Sequence, residues 1–418
     1  MDNNTPTRLS RQNNQETVRL TLIVAVAIGL SIMGDTLMYS LLPLEAGNLG
    51  IALPLVGVLL SANRLVRLFS NTWISAVFKR FGPRLPFVIA TILALLTTSL
   101  YGIGWGFWVF LLARIGWGIA WSGLRQGGYE AVGLADDALK GRLMGALWGI
   151  VRLGSAISVT AGGYLRDRFS YRVSVGAVSA FTALAIPLAF ALRWPSTPAP
   201  SQEEKPPSPL AGWQMSQHTP AQRWMLIVGF LDAALEGILL STVALFLTRQ
   251  LDDSNHLVLF GMGMGATTGL LLSVRFLADL LFGPLLGALA DKLGKTTTAF
   301  LLSATLLAGL IGAVKSPDAW ILFFLALVFI CRAGLFVTLS AAASSAAVRS
   351  KSPHLFVGVY TTSADAGLAV GPLLAYSLSG AISLPTLYVA GGSLLLAAVW
   401  RFWQVERQQS PSHHPLQR

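Results

Sequence analysis

The sequence predicts an all-α membrane protein with twelve transmembrane helices arranged in two similar six-helix bundles. Three observations support this prediction. Hydrophobic residues make up 54% of the chain and charged residues only 12%, whereas about 25% of the residues in soluble proteins are charged. Twelve apolar runs are long enough to cross a bilayer. A stretch in the second half repeats one in the first half, which indicates a duplicated membrane unit.

The twelve apolar runs define the domain organisation. In the first half they lie near Leu20–Leu44, Ala52–Phe78, Leu85–Tyr101, Phe107–Leu134, Leu143–Leu165 and Val173–Leu192. In the second half they lie near Trp224–Thr248, Phe260–Ala290, Thr296–Val314, Trp320–Val348, Leu355–Leu378 and Leu384–Trp400. The predicted organisation is a disordered N-terminal tail (1–17), a first bundle (18–193), a flexible proline- and serine-rich linker (194–222), a second bundle (223–404) and a C-terminal tail (405–418).

The repeated stretch carries a short motif. It runs from Leu271 to Lys295 in the second half and from Leu59 to Arg84 in the first. The second copy ends in GALADKLGK at residues 287–295, whereas the first copy has Ser75 and Lys79 in place of the first glycine and the aspartate. Residues 287–295 resemble the signature between the eighth and ninth helices of the major facilitator superfamily of secondary transporters. The resemblance implies two bundles related by a twofold axis along the membrane normal and transport by alternating access. It gives a conformational role to Gly287, Asp291, Lys292, Gly294 and Lys295.

Lysine and arginine residues predict the orientation. With both termini cytoplasmic, 18 of them lie in inner loops and tails and five in outer loops, as the positive-inside rule requires. The exception is the outer cluster of Arg166, Arg168 and Arg172. We therefore expect a multi-pass protein of the cell inner membrane, and the formal charge of +11 reflects topology rather than nucleic-acid binding.

Thirteen charged residues lie inside the predicted spans. If each faced lipid at about 3 kcal/mol, the total would be on the order of 40 kcal/mol, which exceeds the net stability of roughly 5–15 kcal/mol of a typical protein. They must therefore face one another or a water-filled cavity, which indicates a solute carrier. They are Arg64, Arg67, Arg114, Arg125, Arg152, Arg275, Arg332, Asp35, Glu130, Asp232, Glu236, Asp279 and Asp365.

The two halves differ in the balance of these charges. The first half has five arginines and two acids, a balance of +3, and the second has two arginines and four acids, a balance of −2. This asymmetry suggests that a basic wall in the first half holds an anionic group and that an acidic wall in the second half binds protons.

Three residues of the second half form the first candidate site. Asp232 and Glu236 are four residues apart and share one helix face. Two ionised carboxylates so close repel each other, which favours a shared proton. The alternative is a structural pairing of both acids with Arg332 or another cation.

Four residues of the first half are further candidates. Arg114, with Gly118 four residues later, resembles the fourth-helix motif of the family, and the resemblance implies proton coupling. Asp35 is the one charge of the first span, with Tyr39 one turn away. Arg64 could border the cavity or a neighbouring helix. Glu130 could belong to the solute site or to a cytoplasmic gate. With Asp365, alone in the eleventh span, the predicted substrate or proton-coupling residues are Asp35, Arg64, Arg114, Glu130, Asp232, Glu236, Arg332 and Asp365.

The eleventh span also contains Gly371 and Pro372, spaced like the Gly-Pro motif of the family's antiporters. In the family that motif lies on the fifth helix and ends in Gly-Gly, whereas here it ends in Ala375 and Tyr376. Antiport is therefore open rather than implied. We expect Gly371 and Pro372 to bend the helix at a close contact.

The function that these observations favour is proton-coupled transport of a small anionic or amphipathic organic solute. Two alternatives stay open, namely a proton antiporter that exports lipophilic cations and a non-transporting sensor or scaffold. Residues 294–296 do not form a phosphate loop, because position 289 is Leu where that loop needs glycine. We find no metal spacing and no catalytic constellation. We therefore expect no enzyme activity, no catalytic residues, no cofactor, no metal, no nucleic-acid partner, and a monomer in the bilayer.

Overall fold

A computed structural model describes residues 8–194, 219–251, 262–317, 320–348 and 353–409. Within these ranges the chain forms fifteen helices and no strand, so the predicted all-α fold class is confirmed. The helices of the first half are α1 (Arg8–Ser31), α2 (Met33–Glu45), α3 (Leu53–Phe81), α4 (Arg84–Ile103), α5 (Phe107–Gly133), α6 (Asp137–Arg168), α7 (Tyr171–Ala183) and α8 (Ala185–Ala191). Those of the second half are α9 (Pro220–Gln250), α10 (Met264–Leu281), α11 (Gly283–Leu293), α12 (Lys295–Lys315), α13 (Trp320–Val348), α14 (Pro353–Ser377) and α15 (Leu384–Gln409).

Helices occupy all twelve predicted span positions. Eleven helical segments in the described ranges are long and apolar enough to cross a membrane, with α1 and α2 joined into one segment and α7 and α8 into another. Two helices lie outside this set. One is α11, which has only 11 residues, and the other is α14, whose middle carries a polar run from Tyr360 to Asp365. A transmembrane helix with a polar middle has to be shielded by protein or water.

Three predicted spans are interrupted by one residue, where α1 meets α2, where α7 meets α8 and where α10 meets α11. The sequence predicts a single helix over 260–290, but α10 ends at Leu281 and α11 begins at Gly283. Pro284 lies at the start of α11 and has no N–H to donate to the preceding turn. This explains the interruption inside an otherwise apolar run.

Helices extend into both predicted tails, whose limits stay a prediction. At the N-terminal side α1 begins at Arg8. The Asn14 amide, in the second turn of α1, donates a hydrogen bond of 2.7 Å to Asp136, the residue directly before α6. At the other end α15 continues to Gln409, within the predicted tail 405–418. Residues 1–7, 195–218 and 410–418 lie outside the described ranges.

The described residues form two compact units. The first unit comprises the described parts of 1–203 and 241–277, and the second unit comprises those of 204–240 and 278–418. The unit boundaries fall inside α9 and α10, so the division into bundles at 194–222 stays a prediction.

Within the first unit, α3 and α4 pack against α5, and α1 and α2 pack against α6. Phe87, Trp117 and Leu147 belong to its buried hydrophobic core. Helix α6 lies directly on α1, since a Cβ atom at Gly154 would be only 2.2 Å from the Gly29 carbonyl oxygen. Small residues at such crossings let membrane helices approach closely.

Within the second unit, α12 packs against α13 and α15, and α13 also contacts α11 and α14. The α12–α13 contact again depends on glycine, because a Cβ atom at Gly312 would lie 2.5 Å from the Phe324 ring. These contacts fix α13, which carries Arg332.

Candidate functional site

The centre of the first unit contains a buried ion pair between Arg114 on α5 and Asp35 on α2. The Arg114 side chain is fully buried, and its Nη1 donates to an Asp35 carboxylate oxygen. Its Nε donates to the Leu59 carbonyl oxygen on α3 at 3.0 Å. Because an arginine keeps its charge in proteins, the pair provides the compensation that a charged group needs away from water.

Three further side chains surround this pair. The Asn63 amide donates to Asp35 at 3.0 Å, and the other amide atom, Oδ1, has no hydrogen-bond partner among the described residues. Arg64 donates from Nε to the Tyr39 hydroxyl at 3.0 Å. The guanidinium carbons of Arg64 and Arg114 lie 5.4 Å and 5.6 Å from the Tyr39 ring centroid, within the range of cation–π attraction. We call Asp35, Tyr39, Asn63, Arg64 and Arg114 the first cluster.

Local sequence features place these groups together. Asp35 lies in the first turn of α2, from where it meets Asn63 of α3 and Arg114 of α5. Gly118, one turn after Arg114, lets α5 approach α3, since a Cβ atom there would be 2.5 Å from the Asn63 carbonyl oxygen. The helix contact therefore brings the arginine of α5 to the polar residues of α3.

The second unit contains the second cluster, which consists of Asp232 and Glu236 on α9 and Arg332 on α13. Arg332 Nη1 lies 2.7 Å from an Asp232 carboxylate oxygen, and its Nη2 donates to Glu236. The side chains are 2%, 6% and 12% exposed for Arg332, Asp232 and Glu236. The cation that the sequence left open as a structural partner is thus Arg332, and it contacts both acids.

Glycines of α14 bring that helix onto α9 beside the second cluster. A Cβ atom at Gly367 would lie 2.1 Å from the Phe230 carbonyl oxygen, and one at Gly371 would lie 2.4 Å from that of Ala234. Pro372 lies inside α14, which continues through it as one helix, and its ring faces Gly237 of α9. The predicted Gly-Pro position is therefore a backbone-to-backbone contact.

Two predicted site residues lie outside both clusters. Glu130 is exposed near the end of α5 and accepts a hydrogen bond of 2.9 Å from Gln126. Asp365 is half-buried on α14, and no ion pair to it is found within the described ranges. Lys140, a cation in the first turn of α6, contacts Asp137 at 2.8 Å rather than Glu130.

The motif at 287–295 forms the end of α11 and its connection to α12. Gly294 has φ of +88° between the two helices, a backbone conformation that favours glycine. Lys295 donates to the Ser345 hydroxyl of α13 at 2.6 Å, and a Cβ atom at Gly287 would lie 3.3 Å from Val337 of the same helix. Asp291 and Lys292 are exposed.

Asn63 is a site residue that the sequence analysis missed. It is a polar residue inside an apolar run and directly precedes Arg64, and this position was the available signal. Its partner Asp35 lies on a different helix, so spacing along the chain could not identify the contact.

The apolar helices and the charged clusters buried among them define an integral multi-pass membrane protein. The chain belongs to the Major Facilitator Superfamily, whose sequence profile matches residues 24–269 and 225–417. The resemblance of residues 287–295 to this family is thereby confirmed, and membership makes the protein a transporter rather than an enzyme. A search of curated protein sequences found no match.

Solved structures with a similar fold are also transporters. A mutant of the nucleoside transporter NupG has a TM-score of 0.76 at 12% identity, covering 93% of this chain and 99% of that chain. A peptide transporter POT in complex with sulfate has a TM-score of 0.74 at 13% identity, covering 94% of each chain. A bacterial homolog of the human lysosomal transporter Spinster has a TM-score of 0.68 at 15% identity, covering 96% of each chain. Identities this low show a common fold only.

Proposed function

We propose that this transporter moves a small organic solute with an anionic group by alternating access and couples the movement to protons. In this proposal it is a monomer in the inner membrane with both termini cytoplasmic. Alternating access opens the solute site to one side of the membrane at a time, and proton binding biases the two states.

The observation that carries the proposal is the opposite net charge of the two clusters. The first cluster has two arginines and one carboxylate, a formal charge of +1. The second has one arginine and two carboxylates, a formal charge of −1. Net charge is costly inside a membrane protein, and a ligand of opposite charge lowers that cost. An anionic solute group would neutralise the first cluster, and a proton would neutralise the second.

The first cluster also offers a route for coupling. Protonation of Asp35 would remove the counter-charge of Arg114 and leave the guanidinium able to bind an anionic group. A proton and an anionic solute would then favour each other's binding, which is a reciprocal coupling of two ligands. The free Asn63 oxygen provides an acceptor for a hydroxyl or amide of the solute. Asp365 and Glu130 stay candidates for secondary proton or gate contacts.

The motif residues are proposed to control the conformational change. Gly294 allows the sharp connection between α11 and α12, and Lys295 fastens the start of α12 to α13. Gly371 and Pro372 would act at the α9–α14 contact, beside the second cluster. Movement at either place would reposition helices that carry the charges.

The first experiment identifies the solute. Solutes accumulated by cells with and without the protein are compared without prior selection, and the candidates are tested for flux into vesicles that contain the purified protein. We expect an anionic solute whose uphill movement stops when a protonophore is added. Arg114→Gln and Asp232→Asn should abolish it, whereas the exposed control Asp137→Asn should not. Normal flux in both variants would refute the site, and no flux of any solute would favour a sensor or scaffold.

Export of lipophilic cations is the second candidate function, and the net negative charge of the second cluster favours it. A cation could replace the proton beside Asp232 and Glu236. Extrusion of a fluorescent lipophilic cation that is lost in Glu236→Gln, without transport of any anionic solute, would establish this function in place of the first.

A further inference from the structure

One arginine of the outer cluster, which departs from the charge distribution of the other loops, has a structural explanation. Arg166, near the end of α6, donates from Nε to Glu45 at 2.6 Å and from Nη1 to Asp167 at 2.9 Å. Glu45 is the last residue of α2 and also accepts from Asn48 at 2.8 Å. Arg166 therefore joins the ends of α2 and α6. The side chains of Arg166, Glu45 and Asp167 are 25%, 9% and 13% exposed, so this is a largely enclosed network.

Asp167 extends the network to a third helix. One of its carboxylate oxygens accepts the Gly265 N–H at 3.1 Å, and the other accepts the Ala266 N–H at 2.7 Å. Both donors lie in the first turn of α10, where backbone N–H groups have no partner within their own helix. A carboxylate is favoured at this positive end of the helix dipole. The last turn of α6 therefore caps α10, although the two helices are far apart in sequence.

Below this cap the backbones of α6 and α10 touch through glycine. A Cβ atom at Gly163 would lie 2.1 Å from the Gly265 carbonyl oxygen, and one at Gly269 would lie 2.0 Å from that of Val159. Further along, Arg152 and Phe276 meet with a distance of 6.0 Å from the guanidinium carbon to the ring centroid. Each step back along α6 matches an equal step forward along α10, so the helices are antiparallel. They touch by backbone near Asp167 and by large side chains farther away.

We propose that Glu45, Arg166 and Asp167 form an outer latch that holds α2, α6 and α10 together and closes the transport pathway on the outer side. The latch has two carboxylates and one guanidinium, and its remaining negative charge faces the N-terminus of α10. The pathway opens outward when Asp167 releases that N-terminus. The inference rests on the proposed alternating access and adds the contact that separates the two states on this side. All of its residues lie in the first unit.

The test measures accessibility from the outer side with a cysteine reporter. Cys331, the single native cysteine, is replaced by Ala, and Thr160→Cys introduces a thiol beside Gly269, where the Thr160 hydroxyl lies 3.4 Å from the Gly269 carbonyl oxygen. A membrane-impermeant thiol reagent is added to the outside of cells. Asp167→Ala removes the two hydrogen bonds that the charged Asp167 carboxylate accepts from α10. Its labelling rate should therefore exceed that of the protein with Asp167 intact by about tenfold or more.

Matched variants make the outcome decisive. Asp167→Asn keeps the size of the side chain but loses one acceptor oxygen, so its labelling rate should be intermediate. It replaces Asp167→Ala as the test variant if Asp167→Ala does not fold. Glu45→Gln should also raise the rate, because it weakens the hold on Arg166. Asp137→Asn, an exposed carboxylate near the other end of α6, should leave the rate unchanged. Rates in both Asp167 variants equal to that of Asp137→Asn would overturn the latch.

The reporter needs neither a known solute nor proton coupling. If labelling rises while Arg114→Gln transports normally, the latch stands and the proposed solute site fails. If labelling is unchanged while Arg114→Gln abolishes transport, only the latch fails.

Discussion

At the scale of single residues, each cluster is built around one arginine that keeps its charge inside the protein. Arg114 and Arg332 are almost completely buried, and each depends on carboxylates from another helix. The two arginines differ in the number of carboxylates around them, since Arg114 contacts one and Arg332 contacts two. This difference determines which substitution at each cluster leaves an uncompensated charge.

At the first cluster, Asp35→Asn and Arg114→Gln should each lower stability by about 3–5 kcal/mol, since each leaves a buried charge without its partner. The double variant should lose clearly less than the sum of the two, because it leaves no charge behind. Denaturant titrations of the three variants in detergent give their free energies of unfolding, and these free energies measure the coupling. Additive losses would show that the two side chains do not stabilise each other.

At the second cluster the expected pattern is asymmetric. Glu236→Gln leaves one carboxylate facing Arg332 and should change stability by less than about 1 kcal/mol, whereas Arg332→Gln leaves two carboxylates together and should cost about 3–5 kcal/mol. Thermal unfolding of the two purified variants gives the comparison. Equal destabilisation would mean that the net charge of −1 is compensated elsewhere in the resting protein.

At the element scale, glycines determine which helices can meet. Gly118, Gly154, Gly367 and Gly371 all lie at contacts where a methyl group would strike a neighbouring backbone oxygen. The sequence indicated a close contact at Gly371 but not the helix that it meets. The break between α10 and α11 was missed because the apolar run continues through it, although Pro284 was visible. Hydrophobicity predicts burial, while the position of a break depends on one missing N–H group.

Helix α14 offers a matched pair of glycines for testing this point. Gly367→Ala places a methyl group 2.1 Å from the Phe230 carbonyl oxygen, whereas Gly358→Ala on the same helix meets nothing within 4 Å. Gly367→Ala should therefore separate α9 from α14 and lower the thermal midpoint by several degrees, at about 1–3 kcal/mol for overpacking. Gly358→Ala should be neutral or stabilising, by up to about 1 kcal/mol.

Differential scanning fluorimetry of both variants in one detergent provides the measurement. The shift of Gly367→Ala has to exceed that of Gly358→Ala. Identical midpoints would show that α14 is free to move away from α9 at no cost, and the contact would then not position the second cluster.

At the scale of the whole molecule, the all-α fold and the transporter family followed from the sequence, while the contacts did not. Composition, run length and the motif at 287–295 were sufficient for fold and family, because none of the three depends on which helices meet in space. Asp35 and Arg114 are 79 residues apart, and Asp167 and Ala266 are 99 residues apart. No periodicity along one helix identifies its neighbours, so the ion pairs and the cap could be found only in three dimensions.

Energy coupling is a property of the whole transport cycle, and it can be separated from solute movement. A carrier accumulates solute against a gradient only when proton binding and solute binding depend on each other. Asp35→Asn mimics the protonated carboxyl group and frees Arg114 permanently, so this variant should still bind and exchange the solute. It should no longer respond to a pH gradient, because the carboxyl group whose protonation frees Arg114 is gone.

Vesicles containing the Asp35→Asn protein distinguish the two activities directly. Exchange of labelled for unlabelled solute should continue at no less than about one tenth of the native rate, which corresponds to a change of at most about 1.4 kcal/mol in the barrier. Accumulation driven by an imposed pH gradient should be absent. If accumulation persisted, the coupling proton would have to bind at Asp232 and Glu236 or at Asp365. If exchange were lost together with accumulation, the Asp35 carboxylate would be required for solute binding rather than for coupling. A neutral side chain at this position would then support neither exchange nor accumulation.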